Sequence, residues 1–221
     1  MGAGGIALIA FESRNLNHKK SMFTYYTRET APAESKPLID QSLKMFGFLP
    51  NLSKVMAEAP ITYEVFNTAY ILFSSKSAFS PVEQQVVMMT ANFENRCHYC
   101  MAGHSWVMTE FQKISREIIE DLRNGRPLAE PRLEALHVFT KQLIENRGHV
   151  GDADLQKFLD AGYTKRQALE VLTGLAAKLI TNFTNALTHT ELDDQIKAHV
   201  WSHPEAQKKQ VRQAHQDKSS S

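Results

Sequence analysis

The chain uses cysteine only twice, and both cysteines lie in the stretch RCHYCMAGH. Cys97, Cys100 and His104 are spaced i, i+3 and i+7, and these positions share one face of an α-helix. The first turn of a helix favours a thiolate, as does a nearby imidazolium, and a second thiol can capture the sulfenic acid that a thiolate forms. The spacing therefore predicts a nucleophile, a resolving thiol and a proton handler, the groups needed for peroxide reduction or disulfide exchange.

Three other interpretations of the cysteine pair compete with redox chemistry. A structural zinc site needs four ligands, and the chain has no second Cys-x-x-Cys, while His98 points about 100° away from Cys97 on a helix. A c-type haem would need histidine directly after Cys100, where Met101 stands. Two inert core cysteines remain the alternative, because free cysteine is usually buried. The absence of cysteine elsewhere favours redox chemistry, with no metal and no bound cofactor.

The composition of the 221 residues bounds the class of protein. The formal net charge is +1 and 43% of residues are hydrophobic, so no nucleic-acid or membrane surface is expected. No apolar run approaches the roughly 20 residues that cross a bilayer. Two cysteines are too few for a disulfide framework, which favours the cytoplasm. We expect one all-helical domain over 22–201, a non-native or flexible extension over 1–21, and a polar tail over 202–221.

The apolar residues recur at helical spacing along nearly the whole chain, and no segment alternates with a period of two. Ser80 and Glu83 predict a capping box at one helix start, and Asn95 is a plausible cap for the helix that carries the cysteines. The fold class is therefore predicted to be all-α. The longest helix has a broad apolar stripe that a neighbouring subunit could help to bury, and this stripe comprises Leu169, Leu172, Leu175, Ala176, Leu179, Phe183 and Leu187.

The stretch SPVEQQVVMMTANFENRCHYCMAGH resembles the signature helix pair of the alkylhydroperoxidase-D-like, carboxymuconolactone decarboxylase-like family. The flanking segments FGFLPNLSKVMAEAP and ITNFTNALTHTELD are similar to those around that core, so the resemblance spans about 27–201. It implies an all-helical bundle that assembles as trimers or hexamers, with a thiol-dependent peroxidase-like activity. The decarboxylase branch generally lacks the paired cysteines, so their presence favours the thiol branch.

The resemblance also implies a role for each site residue. Cys100 would attack a small hydroperoxide, and Cys97 would resolve the sulfenic acid as an intramolecular disulfide. His104 would belong to the proton relay that generates the thiolate. A donor with a disulfide-forming or lipoyl-type dithiol would then reduce the pair.

One departure from the family pattern leaves the activity open. The relay glutamate of the family, twelve residues before the first cysteine, corresponds here to Gln85, and an amide takes up no proton at ordinary pH. Glu83 points to a different helix face, so its part in a relay is a secondary hypothesis. His98 and Tyr99 are candidates to line the site or a surface. A slow peroxidase, a dithiol oxidoreductase with another substrate, a decarboxylase-like member and a non-catalytic oligomeric binding protein all remain hypotheses.

Overall fold

A computed structural model describes residues 22–209 of the chain, and these residues form helices and connecting turns with no strand. The expected extension over 1–21 and the end of the polar tail, 210–221, lie outside the described residues. Short 3₁₀ helices span Ala33–Ser35 and Asp194–His199, and a π-helical turn spans Val107–Phe111. The α-helices are α1 (Lys36–Phe46), α2 (Asn51–Met56), α3 (Pro60–Lys76), α4 (Pro81–Glu94), α5 (His98–Trp106), α6 (Arg116–Asn124), α7 (Pro131–Glu145), α8 (Asp152–Asp160) and α9 (Lys165–Thr188).

Local sequence signals set most of the helix bounds. The side chain of Ser80 accepts from the Glu83 amide while the Glu83 carboxylate accepts from the Ser80 amide, so the predicted capping box of α4 is confirmed. Thr164 and Gln167 form a second capping box at the start of α9. α1 ends at Gly47, whose φ of 77° is the left-handed conformation that glycine adopts at low cost.

α4 is the central helix of the bundle, and ten of its fourteen residues are buried. It packs against α5, α6, α7 and α9. A first apolar cluster fills the space between α4, α7 and α9, and a second lies around α2, α3 and α5. Both cysteines belong to the second cluster, so the two sulfur atoms are held within packed structure.

α9 is oriented opposite to an ordinary amphipathic helix. Its buried face carries polar side chains, and much of the predicted apolar stripe lies on the surface of this chain. The exposed large apolar residues are Leu169, Leu172, Leu179, Phe183 and Leu187, at 46–69% exposure. The buried polar residues in the middle and end of the helix are Lys178, Thr181, Asn182, Asn185 and Thr188, at 1–3% exposure. Burial within this chain therefore follows the polar face of α9.

Gly174 allows α9 to approach α3 and α4 closely. A Cβ atom at this position would lie 2.9 Å from Phe73 Cζ and 3.0 Å from Val87 Cγ1. Both neighbours are fully buried, so they have little room to move away. The absence of a side chain at Gly174 therefore lets α9 pack directly on α3 and α4.

We expect the same substitution at two helical glycines to have opposite effects on stability. Gly174→Ala should lower the free energy of unfolding by about 1 kcal/mol, because overpacking outweighs the gain in helix propensity. Gly103→Ala, at a position where a Cβ meets no atom within 4 Å, should raise it by about 0.5–1 kcal/mol. Urea unfolding of both variants at equal protein concentration measures the difference. A stabilised Gly174→Ala variant would contradict the close packing of α9.

Candidate functional site

A tight turn between α4 and α5 places the first cysteine at a helix start. Asn95 caps the end of α4, and Arg96 then adopts a left-handed φ of 53°. Cys97 is the N-cap of α5, and its Sγ accepts a hydrogen bond from the Cys100 amide at 3.4 Å. The predicted cap at Asn95 is therefore wrong, because the left-handed residue reverses the chain and α5 begins two residues later than expected.

The two sulfur atoms lie within reach of the same side-chain amide. Asn185 of α9 donates from Nδ2 toward Cys100 Sγ at 3.2 Å and toward Cys97 Sγ at 3.8 Å. Both cysteines are free and only 4% exposed. Asn185 thus bridges the pair that the sequence spacing predicts on one face.

The two thiols have opposite proton affinities. Burial would raise the pKa of Cys100, but a hydrogen bond from the Cys97 thiol and the positive charge of Lys178 hold it well below the ordinary value. The hydrogen bond to Cys100 is the main cause that raises the pKa of Cys97, and burial adds to it. Cys100 is therefore the group that carries the thiolate, and Cys97 is the group that keeps its proton.

His104 connects α4 to α9 through its two ring nitrogens. Its Nδ1 lies 2.8 Å from Gln85 Oε1, and its Nε2 lies 3.0 Å from Lys178 Nζ. An amide oxygen accepts and an ammonium donates, so the consistent assignment is a neutral ring with its proton on Nδ1. Burial, followed by the charge of Lys178, lowers the pKa of His104 well below its usual range. The positive charge beside Cys100 therefore belongs to Lys178 and not to an imidazolium.

Lys178 is a site residue that the sequence did not reveal. It is 3% exposed, and none of the ion pairs among residues 22–209 includes it. A signal was present in α9, because Lys178 and Asn185 are polar residues one heptad apart on a helix that is otherwise rich in leucine and alanine. The sequence alone gives no indication that this polar face lies inside.

The remaining predicted site residues occupy different places. The Glu83 carboxylate accepts from Ser80 and from Arg132 Nε, so both of its oxygens are engaged in structural contacts. Tyr99 lies beside Cys100, and its hydroxyl donates to the Asp193 carboxylate. His98 is exposed and is not part of the cavity wall. Of the residues proposed to line the site, Gln85 and Tyr99 are thus near the reactive groups.

A cavity of about 100 Å³ lies over Cys100 and His104. Its floor contains Lys178, Thr181 and the pair Tyr99–Asp193, and most of its remaining wall is apolar. Cys97 does not line it, so a small molecule in the cavity would meet the Cys100 sulfur first. The apolar wall comprises Phe46, Phe48, Pro50, Leu52, Phe66, Tyr70, Trp106, Val107 and Ile196.

Two further features bear on the class of site. Within residues 22–209, no group of three or more His, Cys, Asp or Glu side chains is placed to hold a metal ion. In the same part of the chain, none of the helices has the length and apolar character needed to span a bilayer.

The fold is similar to that of several solved structures. Neither a protein-family model nor a curated protein matches the chain. The alkylhydroperoxidase AhpD core, an uncharacterized peroxidase-related protein from Ralstonia eutropha JMP134, superposes with a TM-score of 0.71 at 18% identity, covering 81% of this chain and 95% of that one.

A peroxidase-related protein from Silicibacter sp. TM1040 gives a TM-score of 0.66 at 17% identity, with 80% of this chain and 96% of that one covered. The debrominase Bmp8, solved as a cysteine-to-alanine variant in complex with 2,3,4-tribromopyrrole, gives a TM-score of 0.68 at 16% identity, covering 82% and 96%. The alkylhydroperoxidase-D-like resemblance is therefore confirmed as a likeness of fold.

The unequal pKa values predict selective alkylation of Cys100. Because the pKa of Cys100 is depressed, its thiolate persists as pH falls below about 8.5, the ordinary pKa of cysteine, and is lost only below its own lower pKa. Iodoacetamide should therefore label Cys100 at neutral pH and leave Cys97 unlabelled, as measured by peptide mass spectrometry across a pH series.

Asn185→Ala removes a donor to the Cys100 sulfur and should raise the pKa of Cys100, so that labelling of Cys100 begins at a higher pH than in the parent. Asn124→Ala, at an exposed asparagine that bonds the Glu120 carbonyl, is the matched control and should not change the labelling profile. Preferential labelling of Cys97 would reverse the assignment of the two thiols.

Proposed function

We propose that this chain is a thiol-dependent oxidoreductase that reduces hydroperoxides through a dithiol–disulfide cycle of Cys100 and Cys97. The observation that carries the proposal is the unequal pair, in which Cys100 has a lowered pKa and faces the cavity. Cys97 has a raised pKa and lies away from the cavity, within reach of the amide that contacts Cys100. A thiolate that faces a cavity, with a protonated resolving thiol beside it, is an arrangement suited to peroxide chemistry.

The oxidation half of the cycle takes place in two steps. The Cys100 thiolate attacks the terminal peroxide oxygen, so an S–O bond forms, the O–O bond breaks, and an alkoxide leaves that takes up a proton. The sulfur of the Cys97 thiol then displaces hydroxide from the Cys100 sulfenic acid, and hydroxide leaves as water with the Cys97 proton. The products are one disulfide, one alcohol and one water.

The reduction half requires a dithiol donor. A partner of the disulfide-protein or lipoyl class supplies two electrons and two protons; Cys97 returns to the thiol, and Cys100 returns to the thiolate after it releases one proton. This cycle needs no resident cofactor. A thiol pair that must be reduced repeatedly is suited to a reducing compartment, so we place the protein in the cytoplasm.

Two cysteine variants separate the roles in the proposed cycle. Cys100→Ser should lose stoichiometric consumption of tert-butyl hydroperoxide, because the nucleophile is absent. Cys97→Ser should still consume one equivalent and accumulate a sulfenic acid, which dimedone traps and mass spectrometry detects. Consumption of peroxide by Cys100→Ser at the parental rate would contradict the assignment of the nucleophile.

A second candidate function is a dithiol oxidoreductase with a different two-electron acceptor. Gln85 favours it, because the amide on His104 provides no proton acceptor where the family has a glutamate. The aromatic wall of the cavity would suit a ring-shaped acceptor, of which the tribromopyrrole bound by Bmp8 is one example. This candidate predicts that Cys100 is oxidised by a small aromatic disulfide while hydroperoxides leave the reduced protein unchanged.

We also propose that the exposed stripe of α9 packs against a second copy of the chain, within a trimer or hexamer. Five large apolar side chains lie along this helix between Leu169 and Leu187, and all are about half exposed or more. A second copy presents the same uncharged stripe, so association would bury apolar surface on both sides without requiring any other partner.

Leu179→Glu combined with Phe183→Glu should reduce the assembly to a monomer, because two carboxylates would be buried without partners in the interface. Light scattering coupled to size exclusion gives the mass. Val138→Glu, at a 40% exposed apolar residue of α7, is the matched control and should keep the parental mass. A parent chain that is already monomeric would overturn the proposal.

A further inference from the structure

The thiol cycle described above gives no role to the buried positive charge of Lys178. Its ammonium is buried, and its one hydrogen bond to a side chain goes to the neutral His104 ring. Within residues 22–209, no carboxylate forms an ion pair with it. A buried cation is tolerated when an anion lies nearby, and the nearby group that becomes anionic is the Cys100 sulfur.

The charge balance of the reduced site is lost when the cysteines form a disulfide. A disulfide carries no charge, so a Lys178 that stayed protonated would remain as a buried cation without the anionic sulfur beside it. The same step releases an alkoxide that needs one proton. Transfer of the Lys178 proton to the alkoxide removes both of these charges at once.

We propose that Lys178 is a catalytic residue of this site, which donates its proton to the oxygen leaving group when Cys100 cleaves the O–O bond. The proposal rests on the peroxidase function proposed above. Cys100 thiolate, Lys178 ammonium, Cys97 thiol and ROOH become the disulfide, the Lys178 amine, ROH and water, and atoms and charge balance. When a dithiol donor reduces the disulfide, the Cys100 thiol returns its proton to Lys178.

The geometry of the site agrees with this role. Lys178 and Cys100 line the same cavity, so a peroxide that reaches the sulfur also lies beside the ammonium. His104 Nε2 accepts one of the three Lys178 protons, which orients the amine and leaves two for the cavity. His104 in turn is fixed by Gln85 and cannot rotate freely. The ring therefore positions Lys178, and a glutamine suffices for that purpose where a glutamate would compete for the proton.

Two oxidants with different leaving groups test the proposal directly. tert-Butyl hydroperoxide releases a strongly basic alkoxide that needs a proton, whereas neutral peracetic acid releases acetate, which does not. Each rate is divided by the thiolate content of the variant, measured from the ultraviolet absorbance of the thiolate. Lys178→Met should then lose about 100-fold with tert-butyl hydroperoxide and less than about threefold with peracetic acid, as expected for loss of general acid catalysis.

Lys178→Arg separates the charge from the proton. A guanidinium keeps the positive charge but does not release a proton at ordinary pH, so this variant should retain the Cys100 thiolate and lose the rate with tert-butyl hydroperoxide. Lys178→Arg also tests the proton donation if Lys178→Met fails to fold. Lys157→Met, at an exposed lysine paired with Asp154, is the matched control and should react like the parent with both oxidants.

The outcomes distinguish the two proposals. Equal losses with both oxidants in Lys178→Met and Lys178→Arg, after correction for thiolate content, would overturn the role of Lys178 and leave the peroxidase function standing. A parent protein whose Cys100 reacts with an aromatic disulfide but with neither oxidant would overturn the peroxidase function and, with it, the proton transfer.

Discussion

The buried positive charge of Lys178 is the constraint around which the site is organised. An ammonium at 3% exposure with no carboxylate partner among the described residues is tolerable only beside groups that accept its protons or carry the opposite charge. The His104 ring accepts a hydrogen bond from the ammonium, and the Cys100 sulfur carries the opposite charge. Burial and the charge of Lys178 lower the pKa of His104, and the hydrogen bond from Cys97 together with that charge lowers the pKa of Cys100. The hydrogen bond to Cys100 and burial keep the proton on Cys97.

The sequence was informative where the physical cause is local. The capping box of Ser80 and Glu83 involves residues three apart, and the helical face shared by Cys97, Cys100 and His104 requires only the period of a helix. Both predictions could be made without any knowledge of tertiary structure. The wrong prediction of a cap at Asn95 could not be avoided from the sequence. The left-handed residue of this turn is Arg96, whereas glycine is the residue that usually marks such a turn.

The sequence did not predict the site residues that come from a distant helix. Lys178 and His104, which form a hydrogen bond, are 74 residues apart in the chain, and Asn185 and Cys100 are 85 residues apart. The periodicity of α9 showed an apolar stripe and a polar stripe, and the usual assumption places the apolar one inside the chain. Here the polar stripe is inside, where Asn185 hydrogen-bonds to the Cys100 sulfur and Lys178 hydrogen-bonds to the His104 ring. Periodicity identifies the two faces of a helix but does not determine which one the chain buries.

Because α9 has one face on the surface and the other at the cysteines, it links the two structurally. A helix moves as a unit, so any tilt or shift imposed at Phe183 on the outer side is transmitted through one backbone to the Lys178 and Asn185 side chains on the inner side. In the proposed assembly, contact between copies at the outer face of α9 would therefore be coupled through this one helix to the positions of the Lys178 and Asn185 side chains.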